Sequence, residues 1–174
     1  HADAAADKLA ASYEAAAPAF LKNEAYDPDA AVAEALSRAA GAGRGPVVIA
    51  DTQDNPGAGG VSATTGLLRA LVKAEAQNAA IGLIVDPAAA EAAHQAGVGA
   101  KVNVALGGHA SVTDDAPFQT TATVMHLSDG TLRATGPYYG GTALKLGPSA
   151  CLRIGGVHVV VTSRIAQMAD REMF

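Results

Sequence analysis

The sequence predicts an α/β fold, a mixed sheet with flanking helices and a β-rich antiparallel second half. Three observations predict it. The chain opens on alanine-rich segments with helical spacing, then alternates short apolar runs with amphipathic ones. Beyond residue 100 it changes to period-two alternation broken by glycine-containing turns. At 174 residues it can bury one domain with a helical appendage and need not form two.

Over residues 1–22, Leu9, Tyr13, Ala16 and Phe20 recur at helical spacing and make one apolar stripe. Pro18 predicts a kink or an early end, because its ring removes an amide donor. A second helix is predicted after Asp27, with Pro28 where a missing donor costs nothing and with Val32, Leu36 and Ala39 turned inward; Gly41, Gly43 and Gly45 end it. Residues 1–43 are thus expected to be a helical lead-in packed on one α/β unit spanning 44–174.

The run Pro46-Val-Val-Ile-Ala50 predicts a buried, parallel strand. It opens into a polar glycine-rich loop, Asp51-Thr-Gln-Asp-Asn-Pro-Gly-Ala-Gly-Gly60, after which Thr64, Thr65, Leu67, Leu68, Leu71 and Val72 predict a helix reaching about residue 76. A strand is predicted over 80–85, and Asp86-Pro87 cap a helix through Gln95. Strands over 101–106 and 118–127 flank a Gly107-Gly108 turn, and Ser128-Asp129-Gly130 marks another turn. Short strands over 142–146, 150–154 and 157–162, separated by Gly147-Pro148 and Gly155-Gly156, predict an antiparallel meander.

Composition excludes several classes. The net charge of -5 is weighted toward the first 60 residues, and no basic patch is present to neutralise nucleic-acid phosphates or anionic lipid. Four tyrosines, three phenylalanines and no tryptophan are too few for a base-stacking platform. No apolar run reaches the length of a membrane span, and the start at His1 lacks the order of a signal peptide, so a cytoplasmic location is expected with the periplasm left open. The lone Cys151 excludes an internal disulfide and has no electropositive context to activate it.

A glycine-rich loop between a strand end and a helix start can turn several amides toward an anion such as a substrate carboxylate. Gly57, Gly59 and Gly60 supply that freedom, and Asp51, Asp54 and Asn55 bring polar groups to the same end. Two readings stand side by side: these side chains hold a ligand or lie near a metal supplied elsewhere, or they bond their own backbone in a tight turn. The loop matches neither the Walker sequence nor the dinucleotide fingerprint. His94, His109, His126 and His158 lack zinc-protease spacing, and no G-x-S-x-G elbow is present. Arg164 presents a guanidinium fork for a carboxylate or for a surface ion pair. Gly136-Pro-Tyr-Tyr-Gly-Gly141 lines a pocket or simply joins strands.

Taken in order, Ile49-Ala-Asp-Thr-Gln-Asp-Asn-Pro-Gly-Ala-Gly-Gly60, Thr64-Thr-Gly-Leu-Leu-Arg-Ala-Leu71, Ala96-Gly-Val-Gly99, Gly136-Pro-Tyr-Tyr-Gly-Gly141 and Val159-Val-Val-Thr-Ser-Arg164 resemble the carboxyl-terminal domain of the microcystinase C (MlrC-like) metallopeptidase family. The resemblance implies part of a zinc-dependent peptidase acting on small or linearised peptides of the microcystin type. It implies that one zinc ion is held by an amino-terminal domain and not by this chain alone, and that this chain alone is inactive. Asp54, Asn55, Gly57, Gly59, Gly60 and Arg164 are then substrate-binding residues at the interdomain cleft. At Ala63 many relatives have an acidic residue, so a contact needing that carboxylate is missing here. The expected partners are that amino-terminal domain and a peptide substrate, with homo-oligomerisation open. A small-anion binding module and a non-catalytic assembly domain are the alternatives.

Overall fold

The computed structural model describes residues 2–20, 25–41, 43, 45–108, 112 and 115–174. Four helices are described, α1 (Ala2–Phe20), α2 (Pro28–Ala40), α3 (Gly66–Lys73) and α4 (Pro87–Ala96). The strands are β1 (Ala79–Val85), β2 (Lys101–Leu106), β3 (Phe118–Ser128), β4 (Thr131–Arg133), β5 (Ala143–Lys145), β6 (Ser149–Ile154) and β7 (Val157–Thr162). Five of them make a mixed sheet of order β1-β7-β6-β3-β2, in which β1 runs parallel to β7 and every other pair is antiparallel. The fold is α/β, as the patterning predicts.

The sheet carries helices on one face. Val157, Val159 and Val161 of β7 alternate toward α3 and α4, while Val160 points to the opposite face. Ala89, Ala90 and Ala93 are buried on α4, and their small side chains let that helix lie close on the strands. On the other face Leu83, Leu146, Val160 and Met173 form a smaller cluster, covered by the β4–β5 ribbon and the carboxyl-terminal segment. No helix among the described residues is long and apolar enough to cross a membrane.

Three expectations are corrected. Residues 46–50 form no strand, and among the described residues none of their backbone groups is hydrogen bonded. A cavity separates them from the edge of β1, so the one parallel pair joins β1 to the last strand, β7. The meander is also interrupted: β4 and β5 leave the main sheet as a separate ribbon, and β3 pairs with β6 across that insertion. Gly130 and Gly147 close the insertion at its base, where Leu146 donates to the Gly130 carbonyl.

The lead-in behaves as two different helices. In α2, Asp27 caps the amino terminus through Ala30 N–H at 2.8 Å, and Val32 is buried against α3. Helix α1 continues past Pro18 to Phe20 and buries none of its residues. Its stripe faces solvent instead of packing inward, with Leu9, Tyr13 and Phe20 at least 60% exposed.

Candidate functional site

The 51–65 segment is organised by carboxylates. Asp51 accepts from the amides of Gln53 and Asp54, which makes the local turn the short spacing allows. Asp54 reaches further: Oδ1 accepts from Ser62 N–H at 2.7 Å, and Oδ2 accepts from Ala63 N–H at 2.7 Å, Thr64 N–H at 2.8 Å and Thr64 Oγ1 at 2.9 Å. Burial pushes this carboxyl up, but the bonds from Thr64 N–H, Ser62 N–H, Thr64 Oγ1 and Ala63 N–H outweigh it and hold it below the ordinary carboxylate range. The amides ahead of α3 therefore already hold an anion, and it belongs to the chain.

Beside this cradle Thr65 is fully buried, and its N–H and Oγ1 both donate to Asp115 Oδ1 at 2.9 Å. Arg69 donates to Thr65 Oγ1 and to the carbonyls of Ala116 and Pro117, and stacks over Phe118. Asp86 caps α4 through Ala89 N–H and also accepts from Gly107 N–H at 3.1 Å. All these carboxylates fasten backbone at the carboxyl end of β1.

The glycines have separate reasons. Gly60 packs so tightly that a Cβ would lie 2.7 Å from backbone atoms of Asp54 and Asn55. Gly59 ends the short 3-10 turn Pro56–Ala58 at φ +94°, a conformation that disfavours side chains. Asn55 caps that turn through Gly57 N–H at 2.8 Å. Gly57 leaves room for Gln167, whose Oε1 would lie 2.5 Å from a Cβ there.

Gln167 also meets the second glycine-containing segment. Tyr138 Oη donates to Gln167 Oε1 at 3.0 Å, and Tyr139 Oη donates to the Gln167 carbonyl at 2.8 Å. The two rings pack edge to face at 4.9 Å, and burial raises the Tyr139 hydroxyl above its ordinary range. Asp170, itself buried, accepts from Gly136 N–H at 2.7 Å and from Glu172 N–H at 3.0 Å. Those bonds, from Glu172 first and Gly136 second, hold its carboxyl low. The 51–60 loop, the 136–141 loop and the carboxyl-terminal segment thus converge on one residue.

A cavity of about 800 Å³ opens beside this junction. Residues 46–51, the edge of β1, Leu67 and Leu71 line it, together with Asp54, Asn55, Gln167 and Phe174. Arg164 does not line it. Its side chain is exposed next to Gly147, and it forms no ion pair among the described residues.

Among the described residues no three histidine, cysteine, aspartate or glutamate side chains gather as a metal would need. His94 Nε2 lies 3.0 Å from the Ser149 carbonyl, His126 and His158 lie on strands, and His1 and His109 fall outside the described residues. Burial raises the Cys151 thiol, which is the opposite of nucleophile activation. Sequence reasoning did not identify Thr65, Asp115, Gln167 or Asp170. The spacing places Thr65 on the face of the helix, whereas α3 begins at Gly66 and the partner of Thr65 lies 50 residues away.

Residues 49–174 match the protein family described as MlrC C-terminus. A curated relative, microcystinase C from Sphingomonas sp., is 26% identical over 147 residues, which cover 84% of this chain and 28% of the relative. A crystal structure from Mesorhizobium sp. BNC1, provisionally designated a metallopeptidase, aligns with a TM-score of 0.69 at 27% identity. That alignment covers 78% of this chain and 27% of the other. The chain spans little more than a quarter of the length of either protein.

Proposed function

The chain belongs to the MlrC C-terminus family, and on that premise we propose that it is the carboxyl-terminal part of a metal-dependent peptidase acting on small or linearised peptides of the microcystin type. One observation carries the reading: the 51–60 and 136–141 loops, distant in sequence, meet on Gln167 beside an 800 Å³ cavity. Clefts of this size with a few convergent polar groups are where peptides and small ligands bind.

The division of labour follows from what this chain contains. Its described residues gather no set of metal ligands, and in this reading the ion is held by an amino-terminal part of the enzyme. This chain builds a wall of the cleft between the two parts. Asp54 acts through shape, fixing Ser62, Ala63 and Thr64, while Asn55 and the three glycines set the contour on which a substrate lies. Arg164, exposed outside the cavity, offers a guanidinium to a carboxylate of the substrate or of the partner domain. The small-anion alternative loses its seat to the Asp54 carboxylate.

The test uses the full-length protein and a linear microcystin-type peptide, with bound metal measured in parallel. In Gly57→Leu the new side chain pushes on the flexible end of Gln167 and on the Asn55 side chain, both of which line the cavity. It is expected to lower kcat/KM roughly 10- to 100-fold with metal content unchanged. An unaltered kcat/KM, or hydrolysis of the peptide by the 174-residue chain alone, overturns the reading.

A further inference from the structure

We propose that residues 46–50 are a strap that rests on the free outer edge of β1 as a sixth, parallel strand and lifts away, with the 51–60 loop, to open the cavity seen here. The inference stands whether or not the enzyme is a peptidase.

The strap has the chemistry of a strand without its bonds. Val47, Val48 and Ile49 are β-branched and favour a strand, yet among the described residues the backbone of 46–50 pairs with nothing. Val47 and Val48 are 39% and 83% exposed. Such a segment gains both hydrogen bonds and burial by joining a sheet.

The edge of β1 is the complementary half. It hydrogen bonds to β7 on one side only. Ala79 N–H donates to the Gly156 carbonyl, so the alternation of a strand turns the N–H and C=O of Ala80 to the outer edge, and Ala80 is exposed. A parallel strand left open on one side is unusual, and an unpaired apolar edge invites a partner. Further along the same edge the place is already taken: Val85 N–H donates to the Ser62 carbonyl at 2.7 Å, and Ser62 Oγ donates to the Leu83 carbonyl at 2.8 Å. Among the described residues, the stretch beside the cavity has no hydrogen-bonded neighbour on that edge.

Geometry fixes the occupant and its direction. Residues 46–50 and β1 line the same cavity, so no long excursion is needed. The strap leads into Asp54, which holds Ser62 at the carboxyl end of β1, so the strap runs in the same direction as β1. Strap, α3 and β1 would then form the strand–helix–strand crossover that parallel neighbours require.

Amide hydrogen exchange at Ala80 in the full-length protein tests this, with paired single variants Val48→Pro and Ile49→Pro. Strand amides alternate in direction, so one proline strikes the pairing edge and the other the solvent edge. Ala80 is expected to exchange roughly 100-fold more slowly than an unstructured amide. One of the two prolines should abolish that protection and the other should leave it, with Leu152 in the sheet centre protected in both. Ala80 exchanging at the unstructured rate in the unaltered protein overturns the proposal. So does protection that survives both prolines, which would mean that another chain or a ligand covers the edge, and so does equal loss in both.

Discussion

Asp54 illustrates how a single carboxylate can stand in for a ligand. Its two oxygens take three amides and a hydroxyl at the start of α3, the same donors that a bound anion would use. The stabilising direction follows from its depressed pKa. A carboxyl held below its unfolded value of about 3.9 contributes stability above that value and loses it as pH falls through the folded pKa. Asp54→Asn should therefore cost about 2 kcal/mol near neutral pH, since bonds to a charged acceptor are lost and an amide NH₂ is set against N–H donors. Urea denaturation of both proteins from pH 7 down to pH 2 measures it. The difference should shrink only below about pH 4, and Asp170, common to both proteins, cancels. A gap independent of pH would show that the charge of Asp54 is irrelevant.

At the scale of elements, a cap is worth more when it also fastens a second segment. Asp27 caps α2 from an exposed position through one amide. Asp86 caps α4 and also accepts from Gly107 in the turn after β2. Asp86→Ala is expected to cost about 2 kcal/mol, against about 1 kcal/mol for Asp27→Ala, because two donors lose their acceptor in the first and one in the second. Equal shifts in urea midpoint at constant m would contradict this. The same contrast explains what could be read from the sequence. Strands 101–106 and 157–162 were legible because period-two patterning is local, and the Asp86 cap was legible because its donor lies three residues on. Residues 46–50 misled because strand preference does not say whether a segment is docked on the edge it lies beside. Three-residue β4 lies below any period. Within the site, the glycine loop was visible, but the residues that hold it were not. Asp115 meets Thr65 over 50 residues and Asp170 meets Gly136 over 34, and nothing near either aspartate announces the partner.

For the whole molecule, the sheet has one face buried by helices and another where Leu83 of β1 and Val160 of β7 pack against Met173, so the carboxyl-terminal segment carries weight there. Met173 is buried against Leu83, Leu146 and Val160, and it anchors the stretch that includes Gln167 and Asp170. Those two residues hold both tyrosines and Gly136, and Gln167 also abuts Gly57. Loosening one end should thus be felt at both loops. Met173→Ala should cost about 2–4 kcal/mol from lost transfer energy and the cavity left behind. Its neighbour Phe174, 64% exposed, supplies the control, and Phe174→Ala should cost less than about 1 kcal/mol. The further consequence separates a clamp from a mere core residue. Amides of 136–141 and of 57–60 should exchange faster in Met173→Ala while those of β3 and β6 keep their protection, because the latter are held by the sheet itself. If exchange rises uniformly across the chain, Met173 contributes only to global stability; if it rises in the two loops alone, the carboxyl-terminal segment is what holds the walls of the cleft together.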